Sequence, residues 1–178
     1  NYAGNDSFVY RASDGSLQSA PAVVSITVNP VNDAPLAQAD AYSGAEDLVQ
    51  SGNVLANDSV IDAGTTLAVS SYTVAGVPGS FAAGSTATIA GVGTLVINAN
   101  GAFTFTPAAN YNGAVPVATY TVSDGNGGTA SSTLTLNVTP VNDGPQAVAD
   151  VNSVPINTPA NGNVLGNDSD IDGDTLSV

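Results

Sequence analysis

The sequence has no Cys, His, Met, Trp or Lys, and its only basic side chain is Arg11. One cation cannot neutralise a phosphate backbone, so nucleic-acid binding is excluded. Attraction to an anionic membrane surface is excluded for the same reason. Without His or Cys the usual zinc ligand sets cannot form, nor can Ser-His-Asp or Cys-His nucleophile systems. Disulfides are absent, which leaves the compartment open. No apolar run approaches the length of a membrane span, so no membrane insertion is expected. The first residues, Asn1-Tyr2-Ala3-Gly4, have neither a basic end nor an apolar stretch and do not read as a signal peptide. For catalysis only a carboxylate pair of the glycosidase kind could be assembled. The acidic residues mark joints rather than a cleft, so an enzyme is not expected.

What the chain does have is acid: 14 Asp and one Glu, for a net charge of −14 over 178 residues. Val, Ile, Leu and Phe supply 43 residues. That is about a quarter of the chain, above the roughly 20% below which a charged chain stays unfolded. The length allows one or two domains.

The chain also repeats itself. NYAGNDSFVYRASDG at 1–15 returns as NYNGAVPVATYTVSDG at 110–125. TVNPVNDAP at 27–35 returns as NVTPVNDGP at 137–145, and GNVLANDS at 52–59 as GNVLGNDS at 162–169. The offset is close to 110 residues, giving about 1.6 copies of one unit. Residues 1–30 read as the end of a first unit, 31–140 as a complete one and 141–178 as the start of the next. The ND-x-P segments 31–35 and 141–145 are the joints. Ends that fall mid-unit suggest a piece of a longer array, or half-units that complete each other between chains.

Apolar residues alternate with polar ones at Val24, Ile26 and Val28, at Phe103 and Phe105, at Ala118, Tyr120 and Val122, and at Leu134, Leu136 and Val138. Period two is the mark of half-buried strands. Asn-Gly and Asp-Gly turns punctuate them, and no stretch has helical periodicity. Seven or more short strands in about 105 residues predict an antiparallel sandwich of immunoglobulin type.

The carboxylates cluster. Between Asp62 and Asp124 lie 61 residues without a charge of either sign. A strand over 36–44 would carry the chain about 30 Å from the first joint, at roughly 3.3 Å per residue. After a turn near Glu46, a second strand over 48–55 would return it. Asp58 and Asp62 then arrive beside Asn32 and Asp33, and a strand over 116–122 delivers Asp124 to the same end. An odd strand number puts the two joints at opposite ends, so the units form a rod. At the second joint, Asn142 and Asp143 should meet Asp168, Asp170, Asp172 and Asp174, with Glu46 facing them from the preceding unit. Asp40 and Asp150 precede strands and read as solvent-facing.

Crowded carboxylates repel, by roughly 1 kcal/mol at 4 Å in water and about 4 at an effective dielectric of 20. No Lys is available to offset this. A hard divalent cation, Ca2+, suits a chain whose ligands are nearly all oxygen. Asp168 to Gly173 fits D-x-D-x-D-G, the first half of an EF-hand loop, but no helices flank it. The plain alternative is a solvated Asx-turn loop.

As an ordered set, PVNDAP, PVNDGP, SDGNGG, NYNG and GNVLGNDSDIDGDTLSV resemble the tandem cadherin-like, bacterial Ig-like (VCBS-type) repeats of large secreted RTX-type adhesins. The resemblance implies tandem Greek-key β-sandwiches arranged as a calcium-stiffened rod that holds adhesive tips away from a bacterial surface. It implies Asn32, Asp33, Asp58, Asp62 and Asp124 as ligands at the first joint. At the second it implies Asn142, Asp143, Asp168, Asp170, Asp172, Asp174 and Glu46. The first joint departs from the pattern at Val60, Ala63 and Gly64, and Ile156 and Asn157 stand where the earlier unit has Glu46 and Asp47.

The leading expectation is therefore a structural extender of an extracellular bacterial surface adhesin, whose partners are neighbouring repeats. Two alternatives stand beside it. One is a self-assembling filament or sheath subunit built by identical chains. The other is a glycan-binding module, for which Tyr42, Tyr72, Tyr2 and Tyr111 are the few candidate aromatics. The two NY-x-G tyrosines, Tyr2 and Tyr111, read better as core or corner residues, and glycan contact could also come through other domains.

Overall fold

The structure, a computed structural model, describes residues 2–178. Among them there is no helix, so none long and apolar enough to cross a membrane. Strands β1 (Gly4–Tyr10) and β2 (Ala22–Val28) form an antiparallel hairpin. Ten strands follow: β3 (Asp40–Ala45), β4 (Gln50–Asn53), β5 (Ala68–Val74), β6 (Val77–Ala82), β7 (Thr86–Ile89), β8 (Gly93–Ile97), β9 (Ala102–Pro107), β10 (Gly113–Ala114), β11 (Ala118–Ser123) and β12 (Thr129–Thr139).

These ten make two sheets. One runs β10-β12-β11-β5-β6, with β3 also paired to β12; the other runs β4-β9-β8-β7. The apolar member of each alternating pair points between them. Val69, Tyr72, Val74, Tyr120, Val122, Leu134 and Leu136 from the first sheet meet Ile89, Leu95, Ile97, Phe103 and Phe105 from the second. All are nearly inaccessible to solvent. The result is the all-β sandwich that the alternation predicts.

One pairing sets the position of everything functional. β3 lies parallel to β12, from Asp40 opposite Leu134 to Ala45 opposite Thr139. Both strands therefore run towards the same end. Glu46 follows β3 there, and its N–H donates to the Thr139 carbonyl at 2.9 Å. The second joint leaves from that end. β11 is antiparallel to β12, so Asp124 lies at the opposite end.

The flanking segments are less complete. The β1-β2 hairpin leaves Phe8, Val9, Tyr10 and Val23 at least half exposed. Residues 146–178 contain no strand, only an isolated bridge between Gln146 and Ser169. Their apolar residues have no sheet to pack on, and Val151 and Ile156 stand almost fully in solvent.

Candidate functional site

The first joint folds back on the acidic loop that follows β4. The Asp33 N–H donates to Asp62 Oδ2 at 2.7 Å, and the Gln38 N–H to Asp58 Oδ1 at 2.7 Å. Leu36 and Ser59 exchange two backbone hydrogen bonds between these contacts. The loop after β11 closes the group. Asp124 is buried, its Oδ1 accepts the N–H groups of Asn126 and Gly128, and its Oδ2 accepts from the Asn32 side-chain amide at 2.7 Å. Those donors, Asn32 foremost, hold the Asp124 carboxyl below the usual aspartate range. Gly128 is required here: a Cβ on it would strike the Asp124 carboxylate and crowd the Asn32 amide. Asp33 and Asp62, with Tyr2, Val28 and Asn126, border a cleft of about 870 Å³ between the hairpin end and the sandwich.

The second joint repeats the contacts between joint and acidic loop, 110 residues on. The Asp143 N–H donates to Asp172 Oδ2 at 2.7 Å, and the Val148 N–H to Asp168 Oδ1 at 2.7 Å. Gln146 and Ser169 exchange backbone bonds. Asp170 Oδ1 accepts the N–H groups of Asp172 and Asp174, so Asp170 organises its own loop. Asn142 differs from Asn32, donating to the neighbouring Asp143 carbonyl at 3.0 Å. From the sandwich, Glu46 reaches across: it is buried, and its Oε1 accepts the Val141 N–H at 2.6 Å. Asp47, which the sequence reading left out, joins this end. Its Oδ1 accepts the Asn110 N–H, and it helps to raise the Asp143 carboxyl. That rise is due first to desolvation, then to Asp172, Asp47, Glu46 and Asp170. The signal for Asp47 was its place beside Glu46 in the turn after β3.

Among the described residues, no three Asp or Glu side chains converge into a group that could hold a metal ion. The chemistry of the donors still fits a hard cation. Among the described residues, Asp58 Oδ2 and Asp143 Oδ2 are buried without a hydrogen-bond partner. A carboxylate oxygen withdrawn from water and left without a donor is costly, and either a proton or a cation offsets that cost. Burial raises the Asp58 carboxyl as well.

The family description of the bacterial cadherin-like domain matches residues 32–140. The chain belongs to that family. The match runs from the first joint to the end of β12, and so takes in the sandwich just described. A search of curated proteins finds no match to the chain. Cadherin-like domains are typically structural or adhesive modules rather than enzymes, and they commonly bind calcium.

Two sequence expectations about the cadherin-like domain are corrected. Asp40 does not face solvent. It is 8% exposed, and its Oδ2 lies 2.8 Å from the Tyr120 hydroxyl, because pairing with β12 places β3 in the sheet that holds Tyr120. Tyr72 is not a surface aromatic: it is 1% exposed and stacked on Phe81, and its single hydroxyl proton is within reach of the Ser85 and Leu95 carbonyls. Tyr42 is half-buried, edge-on to Phe103. Tyr2 and Tyr111 each donate to a carbonyl three residues on, and Tyr2 is 64% exposed.

Proposed function

We propose that the chain is part of an extracellular extender of a bacterial surface adhesin, in which β-sandwich units are joined by calcium-stiffened linkers. Its organisation would be the end of one unit (1–30), a complete unit (31–140) and the start of another (141–178). What supports this reading is the recurrence of one clasp, Asp33 on Asp62 and Asp143 on Asp172, at the two joints. A loop kept only for solvation has no need to repeat its joint contacts.

Asn32, Asp33, Asp58, Asp62 and Asp124 would hold a cation at the first joint. Asn142, Asp143, Asp168, Asp170, Asp172, Asp174 and Glu46 would do so at the second. A calcium ion there supplies positive charge and takes six to eight oxygens. The chain's own residues do the mechanical work. The acidic loop grips the joint through backbone N–H groups, and Glu46 grips it from the preceding unit at Val141. Fixing both sides of a linker removes its hinge.

Small-angle scattering of the chain in calcium and in chelator tests the proposal. A longer, narrower distribution in calcium is expected, with the circular dichroism of the sandwich unchanged. An equal maximum dimension in both buffers overturns calcium stiffening.

A further inference from the structure

An asparagine followed by glycine is chemically fragile, since the glycine nitrogen can attack the asparagine side-chain carbonyl carbon with no Cβ in the way. The sequence has four such pairs, at Asn100-Gly101, Asn112-Gly113, Asn126-Gly127 and Asn161-Gly162. The fold treats them differently. The Gly101 N–H donates to the Asn98 carbonyl at 2.9 Å, and Asn100 Oδ1 accepts the Ala102 N–H at 3.1 Å. Gly113 is paired with Val138 in the sheet, and the Asn112 side-chain amide donates to Glu46 Oε2 at 3.4 Å. In both pairs the attacking residue and the attacked side chain are restrained.

The loop after β11 does the opposite. Asp124 Oδ1 accepts the N–H groups of Asn126 at 2.8 Å and Gly128 at 2.9 Å, and passes over Gly127 between them. Among the described residues the Gly127 N–H has no hydrogen-bond acceptor, and the Asn126 side chain is exposed. Gly127 sits at φ +103°, a conformation open to glycine and rarely to other residues.

We infer that Asn126 is a self-modification site, losing its side-chain amide spontaneously in the folded chain. The deprotonated Gly127 nitrogen bonds to Asn126 Cγ, the bond from Cγ to the side-chain nitrogen breaks, and ammonia leaves. Water then opens the resulting five-membered imide at either carbonyl, giving aspartate or isoaspartate. One water is consumed, one ammonia is released and nothing is oxidised. The new carboxylate borders the cleft that Asp33 and Asp62 also line. It adds acid to the joint where Val60 stands in place of the later Asp170.

The test is peptide mapping by mass spectrometry after incubating the full chain at mildly alkaline pH in chelator. All four pairs are read from one sample. Asn161 is exposed and, among the described residues, the Gly162 N–H has no hydrogen-bond acceptor, so this pair is the unhindered reference. Asn126 is expected to convert at a rate comparable with Asn161. Asn100 and Asn112 should lag by about fivefold, the factor that one hydrogen bond of ~1 kcal/mol corresponds to. Asn126→Gln should remove the corresponding acidic species from ion exchange. In denaturant the four rates should converge. Asn126 lagging with Asn100 and Asn112, or the same ranking persisting in denaturant, overturns the inference.

Discussion

Replacing Tyr120 by Phe removes one oxygen from a network that ties the core to the first joint. The Tyr120 hydroxyl lies 2.8 Å from Asp40 Oδ2, 2.8 Å from the Gln38 carbonyl and 3.1 Å from the Val54 carbonyl. A single hydroxyl proton thus faces three acceptors, one of them a buried carboxylate. At neutral pH the Asp40 carboxylate takes that proton, a hydrogen bond to a charged group worth about 1.5–3 kcal/mol. Tyr120→Phe should cost this much. Burial, foremost, raises the Asp40 carboxyl above its ordinary 3.8, and the Tyr120 hydrogen bond opposes the rise. The folded state therefore binds the Asp40 proton more tightly than the unfolded state. The stability linked to that proton is fully present below 3.8 and is lost as pH rises through the folded value. On acidification Asp40 becomes a donor itself, and the deficit of the Phe variant should shrink to the neutral-bond range of about 0.5–1.5 kcal/mol. Asp40→Asn supplies the second donor at every pH and should not destabilise at neutrality. Urea unfolding followed by far-ultraviolet circular dichroism, in chelator, measures all three proteins. A Phe deficit below about 0.5 kcal/mol at neutral pH, or one that grows on acidification, refutes the reasoning.

Glu46→Ala deletes the acceptor of the Val141 N–H, a charge-assisted bond of about 1.5–3 kcal/mol. Amide exchange at Val141 should quicken by one to two orders of magnitude, roughly the factor that energy implies, with exchange on β8 and β9 unchanged. Gly128→Ala places a methyl group against Asp124 and Asn32. It should cost about 1–3 kcal/mol by overpacking, and the Asn32 side-chain amide resonances should shift; an unchanged Asn32 signal would count against the contact.

The sandwich was legible because alternation and Asn-Gly turns are local, and period two needs no knowledge of partners. The recurrence of contacts at Asp33 and Asp143 was legible from the repeat, since the same letters recur 110 residues apart. Tyr72 was misread because β5 does not keep strict period two. Val122 faces Val69 while Thr121 faces Ser71, so Ser70 is an extra residue and the buried positions run Val69, Tyr72, Val74. Asp40 was misread because its burial comes from Tyr120, 80 residues away. No strand formed over 150–155, although β3 is its counterpart. In the complete unit that strand leans on β12, and the described residues hold no second β12 for it.

The two grips on the second joint differ in how far along the chain their partners lie. Asp143 reaches Asp172 across 29 residues, whereas Glu46 reaches Val141 across 95. Closing the longer loop costs about 1 kcal/mol more. The near clasp also needs no sandwich. Residues 143–178 form it with the equivalent partners and the same lengths as the first joint while building no sheet of their own. The far grip exists only once β3 has paired with β12 and brought Thr139 to Glu46. The second joint is therefore clasped from its downstream side by short-range contacts and held from its upstream side by a residue that the pairing of β3 with β12 positions.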